Sequence, residues 1–514
     1  MNMTMKNRIS IVVIMIASCI IASCDNFEDM NQNPDQPNKV SPEMLATQIL
    51  KNTYRFWNPV PDDFQQGTNL MNKHIALLRT NPNPAQYFYS YYPYGSFGAY
   101  AGLTDLRLMS EYSKGTKQEP SYNGLELFLK ASLGFSATLN MGDVPYSEAG
   151  KAHEGITKPK YDKQEDVFKQ VLEDFRKAEE FFARGEKFDG DMMFNGDAEK
   201  WRRLSNAMQL KVLQTLSRKI TDEQKTRFAS IVEAGHLMQG NDDNLRLIYS
   251  DNPNAGYPFW NGETHRSYTA VSKLCVDALK QLNDRRLFYF AEPAEKLIKE
   301  GKKESEFDAY EGAPTELSAE KLAVNNSAGM YSLINKRYPL YLDGEPMLIF
   351  TYSEQCFIIA EAIEEGWVKG DAKDYYEKGV RAMLEYYMNL PHTKEHVHGM
   401  AIDKDYIKNY FTGAAAYAVS GSKQERLQQI WTQRWLIDFF QGNGGNYPQF
   451  LRTGYPVYPL DASTCMNPDD KTTYPKRWMY PTSEQTANPE NYHKAIDEQY
   501  GGYDGINQVP WYLK

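Results

Sequence analysis

Three stretches crowd aromatic rings among residues that break regular structure. The densest is Tyr87-Phe88-Tyr89-Ser90-Tyr91-Tyr92-Pro93-Tyr94-Gly95-Ser96-Phe97, with Tyr100 just beyond it. Proline and glycine bracket these rings, so they do not form one buried helix face. Sugars present flat apolar C–H faces ringed by hydroxyls, and aromatic rings stack on such faces while amides, carboxylates and guanidinium groups take the edges. Tyr91, Tyr92 and Tyr94, nearest the Pro-Gly tip, are the first candidates for stacking. The competing reading folds alternate rings (Tyr87, Tyr89, Phe97, Tyr100) inward as a small core for the loop. A second candidate is Tyr257-Pro258-Phe259-Trp260-Asn261, where Asn254, Asn261 and Arg266 supply polar edges and a helix is expected to start near Tyr268. Trp260 is either a surface platform or, as for most tryptophans, a well-covered ring. Tyr331, with Asn335, Tyr338 and Tyr341, is a third.

Other chemistries find less support. His392, His396 and His398 with Glu395 have a spacing that can put two imidazoles on one helical face, but Pro391 and Gly399 bracket a short polar stretch. Its order lacks the glutamate placement of a zinc hydrolase, so a solvated helix end is the default. Asn241-Asp242-Asp243-Asn244 would suit a structural calcium or simply a polar turn; no other cofactor is expected. No nucleophile elbow, phosphate-binding glycine loop or dinucleotide fingerprint is present. Glu354, Glu361, Glu364 and Glu365 fall on an apparent scaffold helix, where solvation or salt bridging accounts for them. The sequence therefore reads as a binding protein and not an enzyme.

The elements that must position the rings are mostly helical. With 514 residues and a net charge of −10, the chain can bury a large core, and its acidity excludes nucleic acid as the main partner. Lys6 and Arg8 precede an apolar run, Ile9 to Ile21, of signal-peptide length. The run ends in Ile21-Ala22-Ser23-Cys24, the pattern of lipoprotein processing at Cys24. Ile16-Ala17-Ser18-Cys19 fits the same pattern, and an ordinary secretory signal is the other alternative. The expected organisation is a leader at 1–23, a lipidated Asn/Pro-rich tether at 24–40 and a single domain at 41–514. Cys275, Cys356 and Cys465 are odd in number, so this is not a disulfide scaffold. A helix is predicted to start at Ser41-Pro42-Glu43, with Ser41 as its cap. Apolar residues at three- and four-residue spacing predict helices over 164–184, 198–219, 352–367, 371–387 and 424–440. The pair 352–367 and 371–387 resembles a tetratricopeptide unit, with Gly366 at the turn and Tyr375 and Tyr376 in the second helix. Long loops are expected over 79–97, 185–197, 240–266, 300–346 and 441–514, and loops of that length are usually functional.

Several strings together resemble the SusD/RagB family of nutrient-capturing outer-membrane lipoproteins. They are Asn31-Gln32-Asn33-Pro34-Asp35 before Val40-Ser41-Pro42; Gly142-Asp143-Val144-Pro145-Tyr146-Ser147-Glu148-Ala149; Pro159-Lys160-Tyr161-Asp162; and Asn195-Gly196-Asp197 leading to Lys200-Trp201. Further along come Leu282-Asn283-Asp284-Arg285-Arg286-Leu287, Glu354-Gln355-Cys356-Phe357, Gln433-Arg434-Trp435, Arg452-Thr453-Gly454-Tyr455-Pro456 and Tyr480-Pro481-Thr482-Ser483-Glu484. The glycine-rich 441–450 stretch and the ending Pro510-Trp511-Tyr512 depart from the family pattern. The resemblance implies a mainly α fold, a tetratricopeptide-like scaffold of helical hairpins whose long irregular loops form the ligand-binding surface. It also implies non-catalytic capture of glycans or oligosaccharides at the cell surface, an outer-membrane lipid anchor facing the exterior, and delivery to a SusC-like TonB-dependent transporter. A peptide-capturing version of the same fold and a surface adhesin or structural lipoprotein are the alternatives. The family's arc of aromatic residues comes from distant loops, and its exact positions do not transfer by motif.

Overall fold

The computed structural model describes residues 40–54, 68–88, 94–441 and 446–514. The leader, Cys24, most of the tether, Tyr89, Tyr91 and Tyr92 lie outside the described residues. The first helices are α1 (Pro42–Tyr54), α2 (Leu103–Ser113), α3 (Glu119–Met141), α4 (Gln164–Ala183), α5 (Ala198–Thr215) and α6 (Asp222–Ala234), and each packs on the next. Two short antiparallel ladders join distant parts of the chain: β1 (Ile75–Leu77), between α1 and α2, pairs with β3 (Thr269–Val271), and β2 (Leu245–Leu247) with β4 (Met347–Phe350). After α7 (Lys273–Gln281), strand β4 leads through Thr351 into α8 (Tyr352–Glu364), which packs on α5, α9 (Ala372–Met388) and α10 (Lys423–Leu436). The fold is mainly α, as expected.

Local chemistry explains several helix starts. Asp197 accepts from the amides of Glu199 and Lys200 at the head of α5, and Thr351 caps α8 through the amide of Glu354. Thr221 with Gln224 and Ser422 with Glu425 form capping boxes on α6 and α10, each cap worth about 1 kcal/mol. The cap expected at Ser41 does not form: α1 begins at Pro42, but the Ser41 hydroxyl finds no partner.

The stripe read over 164–184 buries Val167, Phe168, Val171, Leu172, Phe175, Ala178 and Phe182, each large side chain contributing about 1.5–3 kcal/mol. Helix α8 behaves differently. Every residue from Ser353 to Ala362 is buried. Ile358, Ile359 and Ala362 join the core formed by α1–α6, while Phe357 and Ala360 join a second core beneath β1, the 249–259 loop, α9 and α10. A helix covered on all sides must pair its charges. Accordingly, Glu354 pairs with Lys211 and Arg434 at 3.0 Å each, and Glu361 with Arg452 at 2.5 Å.

The expected 441–514 loop also contains α11 (Asn446–Thr453) and α12 (Pro489–Tyr500), with a one-turn helix, Glu484–Ala487, before α12. Cys275, Cys356 and Cys465 are buried free thiols. Among the described residues no helix is long and apolar enough to cross a membrane.

Candidate functional site

The β1–β3 ladder fixes one corner of the surface. Its register sets Ile75 against Val271 and Leu77 against Thr269, with all six residues buried. Beyond the ladder, the Leu78 amide donates to the Tyr268 carbonyl at 2.7 Å. Arg79 and Tyr268 therefore emerge side by side: the guanidinium lies 5.6 Å from the Tyr268 ring centre, and its Nη2 donates to His265 Nδ1 at 3.4 Å. Tyr268 is 41 % exposed.

A one-turn helix, Glu263–Arg266, leads back from Tyr268 to Trp260, which is 44 % exposed. The chain around Trp260 is pinned from below. Tyr257 donates its amide to Leu342 O at 2.6 Å, and Asn261 donates to Pro339 O at 2.9 Å. The Phe259 ring meets Phe440 edge-on at 5.2 Å, and Tyr257 meets Tyr249 at 5.3 Å. Asn261 takes a left-handed φ of 63°, a conformation asparagine tolerates well, and its side chain is exposed. Leu340 extends the apolar surface next to these backbone contacts and is 51 % exposed.

Several proposed stacking residues are thus structural. Tyr257 (3 % exposed) and Phe259 (0 %) are anchors that hold Trp260 outward, and neither offers a ring face to a ligand. Tyr331 is also buried: it accepts from Asn325 Nδ2 at 2.7 Å and packs beneath the ladder with Ala76, Ala270 and Leu322. Asn335 and Tyr338 are buried, and Tyr341 stacks on His392 at 4.0 Å. Tyr87 and Phe88 are buried, while Phe97 and Tyr100 stack on each other half-buried. Tyr94 is 40 % exposed but is held by another part of the fold. The next residue, Gly95, donates to Met479 O at 2.7 Å, and a Cβ there would sit 2.3 Å from Met141 Sδ. Tyr268 precedes a strand, and α7 begins only after its Ser272 cap. Arg79, His265 and Tyr268 were not singled out from sequence as site residues; the pairing of β1 with β3 is what brings them together.

The three histidines diverge. His392 bonds Asp343, His396 bonds the Tyr341 hydroxyl at 2.9 Å, and His398 bonds Glu304 at 3.0 Å. Burial pushes the His396 imidazolium toward its neutral form. In the polar turn, Asp243 pairs with Arg203 at 3.1 Å and Asn244 accepts from the Tyr352 amide at 2.8 Å, so both brace α5 and α8. Among the described residues no three His, Cys, Asp or Glu side chains converge as metal ligands. Glu263, the acidic residue of the one-turn helix, is engaged by Arg266 at 2.5–2.9 Å.

The chain matches, over residues 34–481, the SusD-like family described as starch-binding and associating with the outer membrane. A SusD homologue from Bacteroides fragilis is 35 % identical with a TM-score of 0.87, the match covering 92 % of this chain and 100 % of that one. A Bacteroides vulgatus protein, described as a candidate outer-membrane nutrient binder, is 30 % identical with a TM-score of 0.81 and the same coverage. A chitin-binding SusD homologue from Flavobacterium johnsoniae shares the fold at 18 % identity, with a TM-score of 0.70 over 92 % of this chain and 98 % of its own. No curated protein matches.

Proposed function

The chain belongs to the SusD-like family of starch-binding, outer-membrane-associated proteins, and from that premise we propose that it captures oligosaccharides on the Trp260–Tyr268–Arg79 surface and hands them to a SusC-like TonB-dependent transporter. One observation carries the reading. Two exposed aromatic rings flank a one-turn helix, with a guanidinium–imidazole pair beside them and a floor of buried rings holding all of it in place.

Trp260 and Tyr268 supply apolar faces for sugar rings. Arg79, His265 and Asn261 supply edge donors and acceptors for hydroxyls. The buried anchors fix the loop before a ligand arrives, so little ordering entropy is lost on binding. The surface binds without catalysing: Glu263 is held by Arg266, and a hydrolytic site needs two carboxylates facing the scissile bond. Residues 41–514 act as one ligand-binding domain, 24–40 as its tether, and Cys24 as its lipid attachment. Tethering raises the ligand concentration at the transporter mouth.

The test is affinity electrophoresis of the protein against panels of glycans and peptides. A glycan should retard the wild-type protein, and Trp260→Ala and Tyr268→Ala should each weaken retention about 10- to 30-fold, the scale of a lost aromatic anchor, with unchanged circular dichroism. Retention that survives both substitutions would move the site elsewhere, and retention by peptides alone would replace the glycan reading.

A further inference from the structure

Away from that surface, a concave feature lies where α3, α5, β4, α10 and α11 meet: an open-mouthed cavity of about 390 Å³. That is within the size range of small-molecule sites. Its wall is charged. Lys211, Arg434 and Arg452 line it, and among the described residues the carboxylates paired with them are those of Glu354 and Glu361. Arg452 and Glu361 form a closed pair with contacts of 2.5 and 3.0 Å. Lys211 and Arg434 share the single carboxylate of Glu354, so the wall carries one positive charge in excess.

An independent observation points the same way. Gln449 also lines the cavity; it is 3 % exposed, and while its Nε2 donates to Trp431 O at 3.3 Å, its Oε1 has no donor. A buried acceptor without a partner costs about 1–3 kcal/mol unless an incoming hydroxyl satisfies it. The remaining lining mixes the half-buried apolar side chains of Leu139 and Met208 with the hydroxyls of Ser132 and Ser136 and the amide of Asn140, the last two lying in exposed positions. Excess cation, an orphaned acceptor, apolar surface and hydroxyls together describe one kind of guest.

We propose that this cavity is a second ligand site, specific for a polyhydroxylated monoanion of sugar-acid size. Its carboxylate sits against Lys211 and Arg434, a hydroxyl donates to Gln449 Oε1, and an apolar C–H face rests on Leu139 and Met208. The site shares no residue with the Trp260 surface, so a change of the Trp260 ring leaves it intact.

The experiment is calorimetric titration of the protein with sodium glucuronate, glucose and sodium acetate. Glucuronate should bind with a Kd at or below about 1 mM, and glucose and acetate at least about tenfold more weakly. Lys211→Met should weaken glucuronate binding about tenfold or more. Ser136→Trp, at an exposed position that should not disturb folding, should abolish it by closing the mouth. Trp260→Ala should leave it unchanged. The assignment is overturned by non-saturable glucuronate binding, by equal affinity for glucose or acetate, or by wild-type affinity in the Ser136→Trp variant.

Discussion

The ion pair joining α11 to α8 offers the sharpest test of how this scaffold is held together. Arg452 grips Glu361 with two contacts of 2.5 and 3.0 Å, and Gln214 Nε2 donates to the same carboxylate at 2.5 Å. The paired side chains are 6 % and 1 % exposed. Arg452→Met strands the carboxylate with one amide donor, and breaking a buried pair from one side costs about 3–5 kcal/mol. Glu361→Gln keeps an acceptor for Arg452 but leaves its charge uncompensated, and should cost nearly as much. Replacing both, Glu361→Leu with Arg452→Met, removes both desolvation costs and should lose far less than the sum, with a coupling of about 2 kcal/mol or more. At about 2.1 cal/mol/K per residue over about 475 residues, the unfolding entropy is about 1 kcal/mol/K, so each single change should lower Tm by about 3–5 °C. Scanning calorimetry at one scan rate reads this directly. Single variants within about 1 °C of wild type, or a double variant that loses the full sum, would refute the argument.

Three further outcomes follow from the geometry. Phe259→Ala should cost about 3–5 kcal/mol by opening a cavity against Phe440, whereas Trp260→Ala should change stability by under about 0.5 kcal/mol; urea melts giving equal losses would erase the distinction between anchor and platform. Gly134→Ala would place a Cβ 2.1 Å from the Tyr146 ring, an overpacking cost of about 1–3 kcal/mol that should exceed the helix-propensity gain of about 1, so a raised Tm would contradict the packing of α3. Burial lifts the Asp143 carboxyl to about 7 against the partial opposition of the Gln164 amide. The folded state therefore holds more protons than the unfolded one between about pH 4 and 7, and stability falls as pH rises through that window. Asp143→Asn should keep the bond from Gln164 and remove this loss, so its Tm advantage over wild type should widen from pH 4 to pH 8; a constant difference would count against it.

What the sequence shows depends on whether neighbours in sequence are also neighbours in space. Helix α4 was legible because its apolar residues form a stripe, and α8 with α9 because two periodic segments meet at Gly366, whose φ of 76° closes the turn. Helix α3, at 23 residues the longest among the described residues, was not identified from sequence. Its buried residues, from Ser121 and Tyr122 to Thr138 and Met141, spread round the helix and include Gly124 and Gly134, so no single face stands out. The binding loops were harder still. Tyr257, Phe259 and Trp260 are alike in composition, and carbonyls eighty residues away, on Pro339 and Leu342, fix which ring turns out. Arg79 and Tyr268 are almost two hundred residues apart, and only the register of β1 against β3 shows that they leave the ladder together.

That arrangement suggests why so large a helical body carries so small an exposed platform. A loop ring binds tightly only if its position is settled beforehand, and a loop in water settles only when its other residues are spent on packing. In the 249–262 loop, Tyr249, Tyr257 and Phe259 are spent that way, joined to a core that also takes in Phe357 and Ala360 of α8. Helix α8 in turn is fixed by the ion pairs to Arg434 and Arg452. The exposed tryptophan and the buried charges thus belong to one packed unit, with the second core between them. Loosening α11 by breaking its ion pair should therefore weaken glycan retention at Trp260 even though no residue of the pair touches that surface. A change confined to Trp260 has no reciprocal route to the Tm, because nothing in the core leans on the exposed half of its ring.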